Sequence, residues 1–122
     1  MADINYSVNL RVDKDFLSNS LAATNVTANM AEVGMKSDTY ALSGTPVSIS
    51  TANLSSAGLA FVRNLATATA ATCQIGIVVG TSFSVFATPR PGEPALFRLA
   101  TGVAYQATGT AGTRLRVDIT EG

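Results

Sequence analysis

The chain has 122 residues, 13% of them charged and 47% hydrophobic, and its eight basic and eight acidic side chains give a formal net charge of +0. The length suits one domain with one core, and the basic residues are spread singly along the chain. This balance excludes the long-range attraction by which proteins find nucleic acids and anionic membranes. We therefore expect no nucleic acid and no membrane among the partners.

The low charge also bears on assembly. A surface with few charges and no net charge does little to keep copies of a protein apart at high concentration. The composition therefore favours a protein that assembles, with itself as the first partner. A monomer with an uncharged surface rich in Ser and Thr is the alternative that the composition leaves open.

The first predicted element is a strand at the amino-terminal end. In INYSVNLRV, residues 4–12, apolar and polar side chains alternate with period two, which is typical of a strand with one buried face. The next segment, FLSNSLAA at residues 16–23, fits neither the strand period nor the helix period. We expect it to be a loop or an irregular edge.

Short alternating runs follow through the rest of the chain. Residues 73–79 and 83–87 predict a hairpin that reverses at 79–82, because Gly80 separates two alternating apolar runs. The last run, TRLRVDIT at 113–120, directs its apolar residues inward and its charged residues outward. Other short strands are predicted within residues 26–30, 38–50, 59–66, 95–100 and 103–107.

These elements together predict the fold class. About nine short strands, separated by turn residues and without a convincing helix, predict an all-β fold built as a single antiparallel β-sandwich or barrel. A jelly-roll-like arrangement fits the size best, and an immunoglobulin-like sandwich is the competitor. We expect residues 1–122 to form this one domain, with residues 1–15 as either an edge strand or an extended arm that reaches a neighbour.

The segment RPGEPALFRLATG, residues 90–102, contains a P-x-x-P match between Pro91 and Pro94. Pro91 and Gly92 suit the two central positions of a type II turn, because proline presets a negative φ and glycine allows a positive one. We therefore interpret the segment as a turn that joins strands at 82–88 and 95–100 in a hairpin. A polyproline docking motif is the alternative.

The sequence contains few residues suited to catalysis or metal binding. It contains no histidine, and Cys73 is its only cysteine, so the commonest general base and the usual ligands of zinc are missing. Asp13 and Asp15 form the one close carboxylate pair, but the oxygen ligands and glycine of a calcium loop are lacking. We predict no catalytic residue, no metal site and no cofactor, and hence a protein that is not an enzyme.

Cys73 and the amino terminus bear on the compartment. Cys73 lies in an alternating apolar run, where we expect a buried, unreactive thiol. MADINYSVNL lacks the basic segment and apolar run of a secretory signal, and no apolar stretch approaches the roughly 20 residues of a membrane helix. We expect a protein made in the cytoplasm without a signal peptide.

Two arginines are candidates for a subunit interface. Arg63 in FVRNL and Arg98 in LFRLA each lie inside an apolar strand, where an arginine is expected to be paired or to contact another subunit. An arginine on the solvent face of the sheet is the competing interpretation.

Three segments carry a resemblance: GLAFVRNLA at 58–66, TSFSVFATPRPGEPALFRLATG at 81–102 and TRLRVDITEG at 113–122. Together they resemble a group of small all-β structural proteins of tailed bacteriophages. Members of that group combine an aromatic strand ending in Arg-Asn-Leu, a P-G-E turn followed by Arg-Leu, and a closing strand with an acidic end. The group often has Asp where Ala66 stands here, and an aromatic residue in the closing strand.

The resemblance implies a virion component without catalytic residues. The expected function is a capsid decoration or cement protein that forms a symmetric homo-oligomer on the shell, such as a trimer or a pentamer. Its expected partners are itself and other virion proteins such as the major capsid protein, and its expected location is the virion. A neck, tail or spike subunit, or a host-binding or carbohydrate-binding β-sandwich, remains the alternative.

Overall fold

The computed structural model describes residues 2–30 and 32–122, and it confirms the all-β prediction, because these residues contain strands, turns and loops but no helix. The chain divides into two compact units, one before Glu32 and one from Glu32 onward. Ten strands occur in the order β1 (Ile4–Lys14), β2 (Leu17–Ala28), β3 (Met35–Ala41), β4 (Val47–Ser48), β5 (Ala57–Asn64), β6 (Cys73–Val79), β7 (Ser82–Ala87), β8 (Pro94–Arg98), β9 (Tyr105–Gly109) and β10 (Arg114–Glu121).

The first unit is a long antiparallel hairpin of β1 and β2. Its register runs from Ile4 opposite Ala28 to Lys14 opposite Leu17, with an irregularity between Tyr6 and Val8. The strand predicted for residues 4–12 is confirmed, but its apolar face is not buried, since Val8 and Leu10 are about half exposed. Of the two alternatives for residues 16–23, the loop is wrong, because from Leu17 onward the segment pairs with β1 as one strand of a two-stranded sheet.

The second unit is a sandwich of two four-stranded sheets, with strand orders β3-β10-β5-β8 and β4-β9-β6-β7. Every strand pair in both sheets is antiparallel. Counted within this unit, the orders are 1-8-3-6 and 2-7-4-5, which is the strand arrangement of a jelly roll. The predicted jelly-roll-like sandwich is therefore the fold of this unit.

The hairpin does not contribute a strand to either sandwich sheet, since β1 and β2 form a two-stranded sheet of their own. From the sequence we expect one sandwich over residues 1–122, with residues 1–15 as an edge strand or an arm. In the structure the sandwich strands begin at Met35, and the separate element includes both strands of the hairpin.

The core lies between the two sandwich sheets. Side chains that alternate along the central strands fill it, and Ile75, Leu115 and Val62 are among the most deeply buried. Burying one aliphatic side chain of this size contributes roughly 1.5–3 kcal/mol. The buried cluster consists of Leu42, Ala60, Val62, Cys73, Ile75, Leu99, Ala107, Leu115, Val117 and Ile119.

Two predicted turns are present. Val79 pairs with Ser82 across the reversal between β6 and β7, with Gly80 at a φ of 65°. At the second turn the Glu93 amide donates to the Arg90 carbonyl over 2.9 Å, and Gly92 has a φ of 82°, as a type II turn requires.

The second turn joins different strands from those expected. It connects β7 in one sheet to β8 in the other, so the hairpin predicted for residues 82–100 is wrong. The turn is a crossing between the sheets, because both of its flanking strands find their hydrogen-bond partners elsewhere.

We predict that Gly92→Ala lowers the free energy of unfolding by about 1 kcal/mol or more, because a residue with a Cβ is strained at positive φ. Gly44→Ala is the matched control, since Gly44 has open space around its Cα and no positive φ. Its effect should stay within about 0.5 kcal/mol. Urea denaturation at one protein concentration checks both values, and equal effects would contradict the prediction.

Candidate interaction surface

Arg63 and Arg98 lie on the same outer face of the β3-β10-β5-β8 sheet. Arg63 follows the core residue Val62 in β5, and Leu59 of that strand pairs with Arg98 in β8. Because side chains alternate across a strand, both arginines point away from the core, and both are exposed. The four-residue offset along β5 separates the two positions by about 13 Å.

Two further arginines that sequence reasoning did not select lie on the same face. Arg114 and Arg116 alternate with core residues along β10, and Arg116 pairs directly with Arg63. Like charges directly opposite each other on neighbouring strands are destabilising. The pair of guanidiniums therefore makes this part of the sheet a favourable place for an anion.

The two paired arginines are only partly engaged within the chain. Arg63 Nε donates to the Gly92 carbonyl over 3.3 Å, and Arg116 Nε donates to Asp118 Oδ2 over 3.0 Å. No other hydrogen bond or ion pair of these two guanidiniums is found within residues 2–30 and 32–122. Both side chains thus keep donors available for an external acceptor.

Asp118 is the acidic residue of this face. It lies in β10 between Ser37 of β3 and Phe61 of β5, and it is only 7% exposed. Its Oδ2 accepts from Arg116, whereas its Oδ1 has no partner among the described residues. One carboxylate against four guanidiniums leaves the face strongly positive, although the chain as a whole is neutral.

Apolar side chains lie between these charges. Phe61 is 43% exposed, and Met35 is also exposed at the edge strand. Aromatic residues, methionine and arginine are the residue types enriched in protein interfaces. We call this surface the arginine face and define it by Met35, Phe61, Arg63, Leu96, Arg98, Arg114, Arg116 and Asp118.

Asn64 fixes the turn beside the arginine face. Its side chain is fully buried, with Nδ2 donating to the Pro89 carbonyl over 3.1 Å and Oδ1 accepting from the Ala66 amide over 3.0 Å. Its carbonyl also accepts from the Gly92 amide over 2.8 Å. The residue next to Arg63 therefore holds the Arg90–Glu93 turn against β5.

Two clefts beside the segment 65–72 lack catalytic groups. One of about 350 Å³ is lined by residues 69–74 and 88–91, and another of about 400 Å³ is lined by residues 65–68, 70–71 and 110–114. Each contains a single charged residue, Arg90 in the first and Arg114 in the second. Neither brings a base to a nucleophile, so neither has the arrangement of an active site.

Cys73 borders the first cleft, but its thiol is not activated. Its side chain is buried in the core, and burial raises the pKa of the thiol from 9.0 to about 11. A thiol becomes a nucleophile or a metal ligand as the thiolate. The described residues contain no group of three His, Cys, Asp or Glu side chains that could hold a metal ion.

Within residues 2–30 and 32–122, there is no helix of the length and apolar character needed to span a membrane. No protein-family model and no curated protein sequence matches the chain. Among solved structures, the crystal structure of Yersinia pseudotuberculosis-derived mitogen (YPM) is similar, with 11% sequence identity and a TM-score of 0.42 over 75% of this chain and 88% of that one. A similarity of this degree gives no information on function.

We predict that Asn64→Leu lowers the free energy of unfolding by about 2 kcal/mol, because it leaves the buried Pro89 carbonyl and the partly buried Ala66 amide unpaired. Arg63→Gln is the control next to it, and its effect should stay within about 0.5 kcal/mol because the side chain is exposed. Thermal and urea denaturation measure both. An Asn64→Leu variant as stable as the wild type would show that the hydrogen bonds of the Asn64 side chain are dispensable.

We predict that the Cys73 thiol of the folded protein reacts with a disulfide reagent at about pH 8 roughly a hundredfold more slowly than an exposed thiol. The raised pKa keeps the folded thiol protonated, so its reactivity should rise only as the pH approaches 11. The control chain combines Cys73→Ala with Thr81→Cys in an exposed turn. Equal rates in the two folded chains would contradict the prediction.

Proposed function

We propose that this protein is a non-enzymatic structural subunit that assembles as a symmetric homo-oligomer, and that it serves in a bacteriophage virion as a capsid decoration or cement protein. The observation that carries the assembly part is the exposed apolar face of the β1–β2 hairpin. The virion part is supported by the resemblance of segments 58–66, 81–102 and 113–122 to phage structural proteins.

The hairpin has one largely apolar face and one largely polar face. The register places Leu10 opposite Leu21 on one side, while Asn9 pairs with Ala22 on the other. Leu10 and Leu21 are 53% and 54% exposed. The apolar residues of the first face are Ile4, Tyr6, Val8, Leu10, Val12, Leu17, Leu21, Ala23, Val26 and Ala28, and Lys14 and Asn19 lie on the same side toward the tip.

A two-stranded hairpin with an exposed apolar face is stabilised when another surface packs against that face. An isolated two-stranded hairpin is marginally stable at best in water, because one ladder of hydrogen bonds does not offset the lost chain entropy. Burying the row of aliphatic side chains against another surface supplies the missing stabilisation. Self-association does this without a second gene product, in agreement with the low surface charge.

The rest of the chain fits a role in packing rather than chemistry. The sequence has no histidine, and the carboxylate of Glu121 accepts the amides of Ser55 and Ser56 over 2.8 and 3.1 Å. This buried acid is thus occupied in holding a loop. A jelly-roll unit with loops fixed in this way is suited to repeated packing against a shell.

We predict that the purified chain is oligomeric and that the double variant Leu10→Ser, Leu21→Ser is monomeric, because the variant removes the central apolar pair of the hairpin. The matched control is Asn9→Ser, Ala22→Ser, which changes the neighbouring pair on the polar face. Light scattering after size exclusion gives the molar mass of each. A wild-type chain that stays monomeric at high concentration contradicts the assembly proposal.

The virion assignment has its own test. An antibody against the chain should label the heads of the phage that encodes it, and the gene should lie beside a capsid or portal gene. Label on the neck, tail or spike would favour the alternative subunit roles. Specific hits on a glycan array, without label on any particle, would favour a carbohydrate-binding sandwich and overturn the proposal.

A further inference from the structure

We propose that the arginine face of one copy binds the tip of the β1–β2 hairpin of a second copy. The tip is the segment Asp13–Leu17. This inference rests on the proposed self-assembly and adds a second contact to it, beside the burial of the apolar face of the hairpin. The oligomer needs both contacts. The inference assigns the exposed arginines an anionic partner that the chain itself supplies.

The tip presents an aromatic side chain next to a carboxylate. Lys14 pairs with Leu17, so Asp15 and Phe16 form the reversal, with Asp15 at a φ of 53°. Phe16 is fully exposed, and Leu17 beside it is also exposed. Strands of this length place the tip about 35 Å from the base of the hairpin.

The tip contains two carboxylates and one ammonium group, that of Lys14, so its net charge is negative and opposite to that of the arginine face. Asp13 shares a 3.6 Å ion pair with Arg11, in which both side chains are mostly exposed, whereas Asp15 has no ion pair among the described residues. A carboxylate placed between Arg63 and Arg116 accepts from both guanidiniums. It also relieves the repulsion of two like charges that pair directly across β5 and β10.

The apolar groups complement each other as well. Phe61 lies two residues from Arg63 on the same side of β5, which is about 7 Å along the strand. Leu96 of β8 pairs with Phe61 and extends the apolar strip. An aromatic side chain adjacent to the bound carboxylate, as Phe16 is adjacent to Asp15, falls within reach of this strip.

The contact joins two different surfaces, which restricts the assemblies that it can form. Repeated head to tail, it gives a closed ring, such as one of three or five subunits, when the rotation per subunit divides a full turn. Exchanged reciprocally, with each tip on the arginine face of the other copy, it gives a two-fold dimer.

The test uses two full-length variants with one damaged surface each. The face variant carries Arg63→Ser and Arg116→Ser, and the tip variant carries Asp15→Ser and Phe16→Ser. Each should have the molar mass of the 12.5 kDa chain. Mixed in equal amounts, they should form a heterodimer and nothing larger, because the intact tip of one meets the intact face of the other.

The control is Arg90→Ser, which replaces an exposed arginine outside both the face and the tip, and it should keep the wild-type mass. If the wild type is oligomeric and either variant stays oligomeric, this inference falls while the proposed assembly stands. The same holds if both variants are monomeric and their mixture stays monomeric. If the wild type is itself monomeric, the inference and the assembly proposal fail together.

Discussion

The alternation of side chains along β10 is the constraint on which both the core and the arginine face depend. This strand is hydrogen-bonded to β3 on one side and to β5 on the other. Leu115, Val117 and Ile119 are almost completely buried in the core, and the residues between them carry charges. A slip of one residue in register would bury those charges and expose the core residues. The register that stabilises the sandwich is therefore the one that presents Arg116 and Asp118 outside.

Two buried polar side chains at the ends of central strands hold neighbouring loops by hydrogen bonds. Glu121 at the end of β10 binds two amides of the loop before β5, and Asn64 at the end of β5 binds the turn before β8. Buried groups of this kind stabilise a fold only when each is paired, and here the partners are backbone groups of loops. Buried hydrogen bonds therefore hold the loops that border the sheet.

The sequence predicts elements whose own pattern is strong. Residues 4–12, the reversal at Gly80 and the alternation of residues 113–120 all follow from local period and turn chemistry. The strand β2 does not, because its serines, asparagines and alanines have no period until β1 imposes one. The turn at Pro91 and Gly92 was predictable, but its crossing between sheets depends on partners that are distant along the chain.

The candidate site shows the same limit. Arg63 and Arg98 stand out in the sequence because each interrupts an apolar strand, which is a local signal. Arg116 gives no such signal, since it belongs to a regular alternation, and only the register places it opposite Arg63. Sequence reasoning thus finds a residue that is unusual for its strand. It does not find one that becomes unusual through its neighbour on another strand.

Net charge conceals how this chain distributes its charges. Eight basic and eight acidic residues cancel in the sum, yet four of the arginines share one face with a single acid, and Asp13 and Asp15 flank Lys14 at the hairpin tip. In the proposed assembly, neutrality removes long-range repulsion between copies, while the local separation of charge supplies short-range attraction between unlike surfaces. A net charge of zero for the chain is therefore compatible with opposite charges on two of its surfaces. A neutral protein with this distribution can bind its own copies with a defined orientation.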